Sequence, residues 1–325
     1  MELQDFIEET VSALSEYYGE DTEIKTHEIR KNNGVLLQGV CPLKQGKNIA
    51  PTIYLNSFYE RHQKGESFGV LIKEMVHTIE KSQVTNNFDM SFFLNYDNIK
   101  KKLVLRLIHR ENNKELLSKV PYMEFQDLAI VCHYLIITEE IGMGAILIQK
   151  EHLKLWNIKE EILFQDAFKN GPKLEPYSIL EMSEIIKSIL YDSFQEQIEE
   201  ICEEYACDKE ILIKSTMEDM SEKLEEKQIS MYVLTNEKRC YGAACLVYQD
   251  MLDIIGDKLQ DDYYIIPSSV HEIIFVAKGE CVDSLSLNQM IEEVNQTQVE
   301  KEERLSDHTY LYQRNTKKLI SITNH

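Results

Sequence analysis

Residues 231–276 read MYVLTNEKRCYGAACLVYQDMLDIIGDKLQDDYYIIPSSVHEIIFV, the densest apolar region of the chain. Met231–Thr235 is a short run of strand formers, and Asn236-Glu237-Lys238-Arg239 is a polar turn. Gly242–Val247 is a second apolar run, so the two predict a hairpin. Tyr248–Leu259 then places Met251, Leu252, Ile254, Ile255 and Leu259 at helical spacing. Tyr263–Ile266 and Ile273–Val276 read as two more strands, with a turn at Pro267-Ser268-Ser269. Apolar runs without alternation predict strands covered on both faces.

Outward from this core, a weaker copy of its first half lies about a hundred residues upstream. YLIITEEIGMGAILI (134–148) parallels YVLTNEKRCYGAACLV (232–247), and each precedes a helical pattern. The pair predicts two β-β-α units in the C-terminal portion. Asp127–Ile137 is a long apolar strand, and Glu160–Phe168 a helix that Asn170-Gly171-Pro172 should stop. Near the N-terminus, Leu3, Phe6, Ile7, Val11, Leu14 and Tyr18 form a helical stripe, with Gly19 as its stop. Glu23–Arg30 and Val35–Val40 flank Asn32-Asn33-Gly34, a strong hairpin signal. The first ~85 residues thus read helix, three-stranded meander, helix, helix. Leu287–Val294 is a helix, and His308–Gln313 and Lys318–Ile322 are closing strands. The expected fold class is α+β, with mixed, largely antiparallel sheets covered by helices. The expected division is an N-terminal portion, 1–120, and a C-terminal portion, 121–325. Within the latter, 192–226 carries about thirteen acidic residues against three basic, with apolar residues enough for amphipathic helices.

Composition narrows the class. With 43% apolar and 28% charged residues over 325 positions, the chain is ordinary for a globular protein. No apolar run approaches the ~20 residues that span a bilayer. The start, MELQDFIEETVSAL, is acidic and amphipathic, unlike a signal peptide. Seven cysteines without CxxC pairs read as reduced thiols in a cytoplasmic protein. A net charge of -21 repels nucleic-acid phosphates and acidic membranes. It serves solubility, or it binds a basic protein partner, or it mimics nucleic acid.

The candidate chemistry gathers at Ser268, Ser269, His271 and Glu272, because Ser-His-acid is the alphabet of nucleophilic catalysis. A polar turn capped by hydroxyls is the plainer reading. Cys240, beside Arg239, is a second candidate nucleophile with His271 as base, set against an ordinary buried thiol. Cys202 and Cys207 lack zinc spacing, and no metal or cofactor site is expected. Dinucleotide, P-loop, HExxH and GxSxG motifs are missing.

NNGVLLQGV, NIAPTIYLNSFYE, VPYMEFQDLAIV, MYVLTNEKRCYGAACLVY, YYIIPSSVHEIIFV and EEVNQTQV together resemble an uncharacterised bacterial family, known as a domain of unknown function and common in gut anaerobes. The resemblance covers nearly the whole chain and brings no catalytic residues. A fainter one, to a second uncharacterised bacterial family, rests on Ala167, Asn170 and the later IP strand. Val270-His271 stands here where that family has Arg-Asp. The leading functional expectation is a non-enzymatic binding or regulatory protein acting on a protein partner. The alternatives are a hydrolase or transferase near His271, and an acidic nucleic-acid mimic. The sequence does not specify an oligomeric state.

Overall fold

The computed structural model describes residues 1–82, 90–138, 142–189, 230–267, 269–280 and 284–322. The acidic segment 192–226, with Cys202 and Cys207, lies outside the described residues, as does Ser268. The fold is α+β with largely antiparallel strand pairing, as the periodicities predict. Among the described residues no helix is long and apolar enough to cross a membrane.

Two compact units divide the chain, one of residues 1–103, 112–121 and 132–167, the other of 104–111, 122–131 and 168–325. The chain passes between units inside the strand Leu128–Thr138 and inside the helix Glu160–Leu174, where composition gives no linker signal.

In the first unit, helix α1 (Leu3–Tyr18) buries Phe6, Ile7 and Leu14 along one face. It ends at Gly19, whose φ of 71° only glycine adopts without cost. Strands β1 (Thr22–Arg30) and β2 (Leu36–Lys44) pair antiparallel, and β3 (Ile53–Tyr54) joins β2. The turn between β1 and β2 holds Asn33 and Gly34 at φ 56° and 69°, the left-handed geometry that Asn-Gly tolerates. Helices α2 (Asn56–Gln63) and α3 (Phe68–Lys81) follow. Leu71, Met75 and Ile79 of α3 pack with Phe6, Leu14, Val40 and Leu55 in one cluster. Burying each such side chain contributes about 1.5–3 kcal/mol.

After α4 (Tyr96–Ile99) come β4 (Leu103–His109), α5 (Lys114–Lys119), β5 (Tyr122–Phe125), β6 (Leu128–Thr138) and β7 (Gly142–Leu147). The end of β6 pairs tightly with β7, from His133↔Leu147 to Thr138↔Gly142. Helix α6 (Lys150–Trp156) completes the first expected β-β-α unit. Helix α7 (Glu160–Leu174) runs through Asn170-Gly171-Pro172 rather than stopping there. Proline removes one N–H, and in the last turn that loss is small; the Glu175 N–H still bonds to the Gly171 carbonyl at 2.9 Å.

The second unit is built on a six-stranded sheet. Its strands are β8 (Tyr177–Glu181), β9 (Met231–Asn236), β10 (Tyr263–Ile266), β11 (Ile273–Ala277), β12 (Thr309–Gln313) and β13 (Lys318–Ile322), in the order β13-β12-β10-β11-β9-β8. Helix α8 (Met251–Leu259) precedes β10, and α9 (Ser284–Thr297) precedes β12. Tyr264, Ile266 and Val276 pack on Leu287 and Ile291 of α9, while Tyr263, Ile265 and Phe275 on the opposite face are fully buried. Both faces are covered, which accounts for the unbroken apolar runs.

The second expected β-β-α unit is corrected. Gly242–Val247 is a 3-10 helix, not the returning strand of a hairpin. Tyr241 takes a left-handed φ of 54° and turns the chain, and Gly242 is then pressed against β9. A Cβ on Gly242 would lie 2.3 Å from Thr235 Oγ1 and 2.7 Å from the His271 carbonyl oxygen. The internal resemblance therefore holds for strand and helix and fails in between.

Candidate functional site

The loop from Asn236 to Gly242 is bound to its own first residue. Asn236 Oδ1 accepts the N–H groups of Lys238 and Cys240, at 3.1 and 3.2 Å, and its Nδ2 donates to the Cys240 carbonyl at 2.7 Å. Such side-chain-to-backbone bonds are what asparagine supplies in turns. Arg239 and Tyr241 both sit at positive φ, 52° and 54°, conformations that cost side-chain-bearing residues energy. The tight loop presents Tyr241 to solvent, 46% exposed.

His271 lies under this loop, two residues before β11. Its Nδ1 is 3.1 Å from the Tyr241 backbone nitrogen, and its Nε2 is 3.1 Å from Glu303 Oε1. A backbone N–H can only donate, so Nδ1 is the acceptor and the ring proton sits on Nε2, donated to Glu303. The Tyr241 and His271 rings are tilted at 42° with centroids 5.2 Å apart. The Arg106 guanidinium lies 5.0 Å from the Tyr241 ring centroid, within cation–π range.

Arg106 comes from β4 and is itself held by Glu175, just past α7. The ion pair is bidentate, at 2.5 and 2.7 Å, and both side chains are buried. Arg106 also donates to the Leu105 carbonyl at 2.8 Å, and the Tyr248 hydroxyl donates to the Glu175 carbonyl at 3.2 Å. A buried arginine without its carboxylate would be strongly unfavourable, so the two define one unit with the loop above them.

Of the residues singled out in the sequence, His271, Ser269 and Cys240 fall in this neighbourhood. Ser269 Oγ accepts the His271 backbone N–H at 3.1 Å, a turn contact rather than a contact to the ring. Burial pushes the Cys240 thiol above its ordinary range, and Arg106 only partly offsets this. Cys245, inside the 3-10 helix, is pushed by burial to about 12. Both thiols are raised, where an activated nucleophile has a depressed one. Among the described residues no group of three or more His, Cys, Asp or Glu side chains could hold a metal ion.

Sequence reading missed Arg106, Glu175, Tyr241 and Glu303. Arg106 did leave a signal, a lone charge inside LVLRLIH, where every other residue to Ile108 is apolar. Glu303 stands in the charged run Glu300–Arg304, which offers no sign of a histidine partner.

Fold and site together define an α+β protein in which a buried ion pair, Arg106–Glu175, meets the ring of Tyr241 on a histidine-supported loop. The chain belongs to a family of unknown function, DUF5688, whose model covers residues 3–314. This is in keeping with the resemblance read from its sequence. No curated protein and no solved structure matches the chain.

Proposed function

We propose that the protein is a bacterial cytoplasmic binding or regulatory protein that acts on a basic protein partner and not by catalysis. The observation that carries this reading is the engagement of His271. A general base needs a ring nitrogen directed at its nucleophile, and here Nδ1 accepts the Tyr241 N–H while Nε2 donates to Glu303. The net charge of -21 supplies the attraction for a basic partner. The test is capture of partners from lysate of the native host at low and high salt, with the bound proteins identified by mass spectrometry. A stoichiometric basic partner lost at high salt is the expected result. Salt-insensitive capture, or none, counts against the proposal.

One observation favours a hydrolase or transferase at His271 instead, namely the carboxylate on its Nε2, the orienting half of a catalytic triad. That reading requires the Tyr241 N–H to leave Nδ1. A Cys240 or serine label that forms at neutral pH and disappears in His271→Ala would establish it.

A further inference from the structure

A groove of about 390 Å³ opens in the second unit. Met123, Glu124 and Phe125 of β5 line it, and Phe168, Val247, Met251 and Leu252 complete its walls. The volume lies in the range of small-ligand pockets, roughly 300–1,000 Å³. Glu124, Asp250 and Asp253 lie along it with Lys317, and Arg110 faces Glu124, which leaves one carboxylate in excess of the cations.

The three carboxylates are not equivalent. Asp253 accepts the Tyr312 hydroxyl at 2.6 Å and meets Lys317 Nζ at 2.5 Å. Glu124 pairs with Arg110 at 2.6 Å. Asp250 occupies the N-cap position of α8 and makes no capping hydrogen bond. An N-cap aspartate ordinarily has extended geometry and accepts from the first turn. Here φ is 59°, and the exposed carboxylate stays outside the capping geometry, beside the groove, where it acts on Lys317 through charge without an ion-pair contact.

We propose that this groove binds a small amphiphilic amine, with its aliphatic or aromatic body against the apolar walls and its ammonium group on Asp250. The apolar walls supply affinity irrespective of charge. The excess carboxylate along the groove selects a cation and repels an anion of the same body. This proposal does not rest on the protein-binding reading.

The test uses the full chain carrying 13C-methyl methionine, titrated with octylammonium, octan-1-ol and octanoate. Saturable shifts of Met123 and Met251, two of eleven methionines, are expected with octylammonium. Its affinity should exceed that of octanol by about five-fold, the upper end for an exposed ion pair, with octanoate weakest. Asp250→Asn, an exposed change, should bring octylammonium and octanol level. Shifts spread over all methionines, no saturation, octanoate binding as tightly as octylammonium, or a preference that survives Asp250→Asn would each overturn the proposal.

Discussion

Glu175 holds both terminal nitrogens of Arg106, at 2.5 and 2.7 Å, with side chains only 2% and 5% exposed. Glu175→Gln keeps the volume and removes the charge, leaving the guanidinium uncompensated. The expected loss is about 3–5 kcal/mol, measured by urea unfolding. Replacing both residues by apolar ones of similar volume should cost much less than the single change. A double variant less stable than Glu175→Gln would show that the pair does more than neutralise itself.

Gly242 has no room for a side chain. A Cβ there would come within 2.5 Å of the Asn236 nitrogen as well as against Thr235 and His271. Two of these three contacts are backbone and cannot swing away. Gly242→Ala should therefore destabilise by about 1–3 kcal/mol and disturb the loop bearing Tyr241. Wild-type stability in the variant would rule out the tight packing of this loop on β9.

The buried thiols set a direction for pH. Cys245 is raised from an ordinary value of 9.0 to about 12 by burial. The folded protein thus keeps a proton that the unfolded chain releases. The stability this contributes is fully present below about pH 9 and is lost as pH rises towards 12. The unfolding free energy should be about 2 kcal/mol lower at pH 10.5 than at pH 8 on account of Cys245, and Cys245→Ala should flatten that slope. Cys240, also raised, should alkylate more slowly at pH 7.5 than a free cysteine, with the rate climbing as pH rises. Fast alkylation of Cys240 at neutral pH would revive it as a nucleophile.

What could be read from sequence was whatever depends on near neighbours. The Asn33-Gly34 turn is legible because its geometry is a property of those two residues. Its anchor is not, since the Asn33 N–H is received by Asn113, eighty positions away. Gly242–Val247 has the composition of a strand and becomes a 3-10 helix because of what lies against it. At the candidate site, Ser269 and His271 stood out by residue type, while Glu303 sits 32 positions on in a run that looks like solvated surface. Chemistry carried by one residue type was visible; chemistry carried by a long-range pair was not.

The interleaving of the two units governs how the protein is made and inherited. A ribosome must deliver residue 167 before the first unit has all of its chain, by which point two pieces of the second, 104–111 and 122–131, have already emerged. No stretch of the gene encodes either unit alone. Between residues 104 and 167 every crossover point would split one unit or both, so a single recombination event there cannot exchange them as modules.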